Sequence, residues 1–449
     1  MLGGCAVKQP PLHHSTPSLP RSQPHLPEKT VLDNGLRIVT ETFPHAQSVT
    51  VAVFVASGSR HERDGEQGAS HFLEHLVFQG SARRDNQFKV ARAIEGVGGS
   101  LNGFTHHEAT CYHAVTLAED FELAMDVIID MVLYPCLHES AMEKERQIIL
   151  QEIKSNRESG AAWVHELVQQ RMFQDHPLGQ LITGAEQNVA ALTRAQCVAY
   201  QQANYRPNSL VLAVAGNVEH GAVVELARRY FEPVAPGSPV EWGVPPNGQA
   251  GPAVVFEPRT AEQLHLCLGF RALPHRHPDS FVLGVIDILL GSGVTSRLFQ
   301  EIRENLGLAY DVGSYTQPYR DAGAFVLYAS VEPKRAVQCL RAILGGVDRL
   351  KEGLIDEEEL REAKQFAKGT LLLGLEGPGA YAMMLGEREL LTEELFQVEE
   401  ISAGVNRVTT EDIQRVSQEL LRSEGATLAV VPPKRWRSEG KLIDLMASW

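Results

Sequence analysis

The chain of 449 residues is 43% hydrophobic and 22% charged, the balance of an ordinary globular protein of two or three domains. Its formal charge of −15, from 41 basic and 56 acidic residues, argues against a nucleic-acid partner and favours cationic or neutral substrates. No apolar run reaches the roughly 18 residues of a membrane span, and six scattered cysteines without a C-x-x-C pair read as buried thiols in a reducing, cytoplasmic setting.

Residues 1–28 are rich in Pro, Ser and His and carry no helical or strand period, so a flexible tail is expected there. Leu2-Gly3-Gly4-Cys5 has the form of a lipoprotein cleavage site without the hydrophobic stretch that should precede it. A truncated leader would make the protein periplasmic or lipid-anchored instead. His13-His14 lacks partners at metal spacing. The Asn34-Gly35 pair between apolar runs predicts a hairpin. Val51–Ala56 is a continuous apolar run, as expected of a central strand buried on both faces.

Ser70-His71-Phe72-Leu73-Glu74-His75-Leu76-Val77-Phe78-Gln79-Gly80 reads as a short helix closed by Gly80. His71 and His75, at i and i+4, share one face and can grip one ion. Glu74 sits one residue before the second His, placed to reach a water on that ion without binding it. The order is H-x-x-E-H, inverted from the commoner H-E-x-x-H.

A helix is predicted near Gln87–Glu95, the stretch Gly96–Thr105 turns into a strand, a further strand is expected at Cys111–Leu117, and helices near 119–133 and 140–157. Ser140-Ala141-Met142-Glu143 has the form of a capping box for the last of these. A catalytic zinc takes three protein ligands and keeps a fourth position open. Glu145 and Glu152 share a face of that helix but lie roughly 10 Å apart along it, so only one can bind directly. Glu152 is taken as the ligand and Glu145 as a supporting carboxylate. A helix near 193–203 and a buried strand at Leu210–Ala215 complete this catalytic half, residues 29–232.

Residues 233–252, rich in Pro and Gly, read as a linker. In residues 253–449 the same order returns: a strand at Leu264–Leu268, helices near Ser280–Leu290 and Leu298–Arg303, and a strand at Phe325–Ser330. A further helix opens at Asp356-Glu357-Glu358-Glu359, where Lys368 stands in the place of Glu152 when both are counted from the helix cap. Ile286–Leu290 contains no His. The fold class expected is therefore α+β: two homologous ferredoxin-like α/β sandwich units facing across a cleft, with metal held by the first alone.

With 76 residues between His75 and Glu152, and Glu145 seven before Glu152, the pattern resembles the pitrilysin/insulinase superfamily of zinc metallopeptidases, most closely its processing-peptidase-like branch. The resemblance covers about residues 29–434. It implies one zinc ion per chain and hydrolysis of unfolded peptides in a chamber between two domains, with Glu74 as general base. Arg303 and Tyr310 match a family pair that reaches across to the zinc site to stabilise the reaction's oxyanion. Asn102-Gly103-Phe104-Thr105 resembles the family's Asn-Ala-Phe-Thr edge strand, which pairs with substrate backbone; Gly103 departs from the Ala. His106-His107 are expected as strand residues, not ligands. Because zinc motif and Arg/Tyr pair share one chain, self-sufficiency as a monomer or homodimer is expected. The alternative is a non-catalytic binding or assembly subunit of the same family.

Overall fold

The computed structural model describes residues 26–238, 241–245 and 252–449. The expectations for Leu2–Cys5, for His13-His14 and for most of the 1–28 tail lie outside the described residues, as does part of the 233–252 linker.

β1 (Glu28–Val31) and β2 (Arg37–Thr42) pair antiparallel around the Asn34-Gly35 turn. Gly35 sits at φ +87°, the left-handed backbone that only glycine adopts freely. With β3 (Ser48–Val55), β4 (Ser100–Thr105), β5 (Thr110–Leu117) and β6 (Leu210–Gly216) they form one sheet in the order β1-β2-β6-β3-β5-β4. Only β2 and β6 run parallel. The helices of this part are α1 (Ala69–Val77), α2 (Gln87–Glu95), α3 (Phe121–Leu133), α4 (Glu139–Glu158), α5 (Gly160–Met172), α6 (Glu186–Ala191), α7 (Arg194–Asn204) and α8 (His220–Phe231).

The second sheet contains β7 (Ala253–Phe256), β8 (Leu264–Ala272), β9 (Ala309–Pro318), β10 (Gly323–Val331) and β11 (Ala426–Val431), ordered β7-β11-β8-β10-β9. Here too only the first pair, β7 and β11, is parallel. That pattern repeats β2-β6-β3-β5-β4 strand for strand, so the duplication lies in the topology itself. Around it stand α9 (Ser280–Leu290), α10 (Ala336–Lys351), α11 (Glu357–Gly374), α12 (Pro378–Thr392), α13 (Val398–Arg407), α14 (Thr410–Leu420) and α15 (Glu439–Ser448).

β3 shows why its sequence is apolar throughout. Val49, Val51, Val53 and Val55 face the core shared with α1 and α3, whereas Ala52 and Phe54 face a second cluster with Leu385 and Leu390 of α12. The cover on that second face comes from the other half of the chain. The exchange is mutual: α5 packs on β8 and β11 through Trp163, Val164 and Val168 against Cys267, Ala429 and Val431. Two glycines permit the close approach. A Cβ on Gly386 of α12 would overlap the Phe54 ring, and one on Gly269 of β8 would stand 2.7 Å from Met172 Sδ.

Two local expectations are corrected. α4 begins at Glu139 after His138, which makes no side-chain cap bond, so the Ser140/Glu143 box is not formed. Leu137 at φ +47° turns the chain into the helix early and leaves Ser140 already inside its first turn. The expected α-helix at Leu298–Arg303 is a seven-residue π-helix, Phe299–Asn305. By contrast, the Asp356 side chain does cap α11, accepting from Glu359 N at 2.7 Å.

Candidate metal centre

α1 starts at Gly68, whose φ of +94° follows from its tight approach to Thr183 O, 2.7 Å from where a Cβ would stand. The buried carboxylate of Glu62 accepts from Gly68 N and Ser70 N at 2.7 and 2.8 Å, satisfying helix N-terminal amides that would otherwise be orphaned. Burial pushes the Glu62 carboxyl up to about 7, against the hydrogen bonds from Ser70 and Gly68. This clamp fixes α1 one residue before His71. Sequence reasoning missed Glu62, and its signal was faint: one acidic residue six positions ahead of a glycine.

α1 packs against α4, and the two helices bring His71, His75 and Glu152 together. Glu152 Oε2 lies 3.8 Å from His71 Nε2 and 3.9 Å from His75 Nε2. One potential ligand atom from each residue falls within 4.8 Å of the others, the one such metal-capable group among the described residues. A tetrahedral zinc with bonds of about 2.0–2.2 Å separates its ligand atoms by roughly 3.3–3.6 Å, so small side-chain adjustments fit this set to the ion. Burial, then the neighbouring His75, holds the His71 imidazole down to about 4, neutral and able to donate a lone pair at neutral pH. Its Nδ1 is buried without a partner. Glu145, buried, stands 3.1 Å from His75 Nδ1 and fixes the ring with Nε2 towards Glu152. Glu152 itself is half exposed.

Glu74 lines a cleft of about 410 Å³ together with His75, Phe78, Asn102, Lys144 and Glu145. Burial raises its carboxyl above the ordinary range, opposed by a hydrogen bond from Thr105 Oγ1 to Oε2 at 2.6 Å. Of the four residues expected to contact substrate, Thr105 thus touches Glu74. Asn102 is exposed on the cleft and accepts from Gly103 N at 2.9 Å. Phe104 packs on Phe54. Gly103 has a local reason: a Cβ there would press to 3.1 Å from the Phe78 ring. All four lie on β4, the outermost strand of its sheet, whose far edge has no strand partner among the described residues.

Arg303 and Tyr310 come together with each other. The Arg303 guanidinium stacks 5.0 Å from the Tyr310 ring centroid, and Tyr310 is 77% exposed. Neither lines the cleft at Glu74. His107 is buried against Gln180 O, and the five described cysteines are free.

Residues 37–186 match the family model described as insulinase (peptidase family M16), and residues 191–366 match the model of the peptidase M16 inactive domain. A Streptomyces coelicolor protein described as an uncharacterized zinc protease is 36% identical over 93% of this chain and 92% of its own. A Bacillus subtilis protein of like description is 32% identical over 89% of this chain and 97% of its own. In fold, the chain resembles the crystal structure of a protease from Helicobacter pylori, with a TM-score of 0.84 and 23% identity over 91% of this chain and 99% of that one. The peptidase M16 inactive domain from Pseudomonas fluorescens superposes equally well at 17% identity, covering 91% and 98%.

Proposed function

The chain belongs to the insulinase family of peptidases, family M16, and on that premise we propose that it is a zinc metalloendopeptidase acting on unfolded peptides or small proteins held between its two halves. The observation that carries this reading is the His71/His75/Glu152 triplet with Glu74 beside it on α1. His71, His75 and Glu152 are the ligands of one zinc, and Glu145 orients His75. Zinc bound there would supply Lewis acidity that activates water for attack on a peptide carbonyl. Glu74 accepts the proton of the attacking water and delivers it to the departing amine nitrogen, a role suited to a carboxylate whose affinity for protons burial has raised.

The unpaired edge of β4 receives the extended substrate as an added strand, with Asn102 directed at its backbone. Arg303 and Tyr310 donate to the developing oxyanion once the halves close, since in this structure neither lines the cleft at Glu74. The residues divide accordingly: 29–232 bind metal, 233–252 connect, and 253–449 supply the Arg/Tyr pair. Having both sets, the chain works alone, as a monomer or homodimer.

Glu74→Gln tests the reading. It keeps zinc and lowers kcat by at least about 100-fold, the lower end of general acid–base contributions. Undiminished cleavage by that variant refutes the role of Glu74. Purified protein without zinc or chelator-sensitive hydrolysis would instead be a binding or assembly subunit.

A further inference from the structure

Thr105 closes β4, 9% exposed, opposite Thr110 of β5. Its hydroxyl is therefore carried by a paired strand, in a register fixed along the length of β5. A carboxylate's last torsion is broad and two-fold, so without an anchor its two oxygens exchange freely. In Glu74 one oxygen is anchored: Oε2 accepts from Thr105 Oγ1 at 2.6 Å. Among the described residues Oε1 has no protein partner, and Glu74 lines the cleft.

The second half contains a comparable clasp with one difference. Asp287 of α9, the counterpart of α1, accepts from Ser314 of β9, the counterpart of β4, at 2.5 Å to Oδ1. Ser292 donates to Oδ2 at 3.0 Å, so both oxygens of Asp287 are occupied. In the first half a single tether holds one oxygen and leaves the other open.

We propose that Thr105 is a positioning residue: its hydroxyl pins Glu74 Oε2 so that Oε1 alone is presented to the water and the scissile amide. This rests on the reading of Glu74 as proton carrier, and it takes the place of the substrate contact that family resemblance implies for Thr105. It also makes β4 bifunctional. The outer edge receives substrate while its last side chain sets the base, so docking and proton transfer share one rigid strand.

The two roles for Thr105 leave opposite kinetic signatures. A substrate contact raises KM with kcat unchanged; a residue acting through Glu74 lowers kcat and spares KM. In the zinc-loaded full chain, Thr105→Val is expected to lower kcat about 10- to 100-fold, the range of outer-shell partners, with KM within about twofold and zinc content unchanged. Thr105→Ser, which keeps the hydroxyl, should restore kcat to within about threefold. In a Glu74→Gln background, Thr105→Val should change the residual rate less than about twofold, because no carboxylate is left there to carry the proton. Crystals of zinc-loaded Thr105→Val should show the Glu74 carboxylate rotated from its present torsion. A raised KM with unchanged kcat, equal losses in both backgrounds, or an unmoved carboxylate overturns the proposal while leaving the peptidase reading intact. Absence of zinc-dependent hydrolysis by the unaltered chain sinks that reading and this one together.

Discussion

Glu41, near the end of β2, is a carboxylate in an unfavourable place. It is 5% exposed, and its Oε2 has no hydrogen-bond partner. Burial first, then the charges of Glu28 and Glu399, push its carboxyl up to about 7. A carboxyl raised on folding binds its proton more tightly in the folded than in the unfolded state. Its contribution to stability therefore falls as pH rises from the unfolded value, 4.5, to about 7, and stays low above that. Glu41→Gln removes the charge, so the variant should be more stable than the parent at pH 8 by about 1–3 kcal/mol, with the gain fading towards pH 5. Urea unfolding at the two pH values measures this; an equal gain at both, or a loss at pH 8, contradicts it. At this scale the sequence is uneven evidence. The imidazole pair and Glu152 could be read because helical spacing and a family interval locate them. The Glu62 clamp, the Thr105–Glu74 bond and the orphaned Glu41 could not, because each depends on segments distant in sequence meeting in space.

The exchange of α5 and α12 carries the architecture at the scale of the element. Gly386 lies in the middle of α12, where helix propensity alone says that Gly386→Ala should stabilise by about 1 kcal/mol. The new Cβ, however, would stand 2.2 Å from Phe54 Cε2 and 2.9 Å from Ala213 Cβ. Overpacking of a dense core costs about 1–3 kcal/mol, so the clash wins and net destabilisation is expected. Shortening the obstacle, as in Gly386→Ala with Phe54→Leu, should recover part of the loss; a higher unfolding midpoint for Gly386→Ala alone rules the packing account out. The strands were legible from their apolar runs, and the duplication from their repeated order. The swap was not. A run such as Val51–Ala56 announces two buried faces but says nothing of which helix covers the second. α5 and α12 went unassigned because neither carries a sharp pattern: α5 mixes Gly, Ala and polar residues among its apolar ones, and α12 opens at Pro378-Gly379.

Across the whole molecule, the halves are joined by more than their exchanged helices. Arg60, nearly fully buried, pairs with Glu108 and with Asp321 of the second half, and it donates to Gly243 O of the connecting segment. Burial works against its charge, but Asp321 and Glu108 hold the guanidinium above its ordinary pKa. Trp242 stacks against both Arg60 and Arg320. This knot ties first half, connector and second half at one place. Among the described residues, no helix is long and apolar enough to cross a membrane.

The account depends on one zinc held jointly by α1 and α4. Its most direct test is an anomalous diffraction map, recorded at the zinc edge, from crystals of the zinc-loaded chain. The expected result is a single strong peak per chain within about 2.0–2.2 Å of His71 Nε2, His75 Nε2 and a Glu152 carboxylate oxygen, absent in Glu152→Ala. A peak bonded to other residues, or one that persists unchanged in Glu152→Ala, contradicts it.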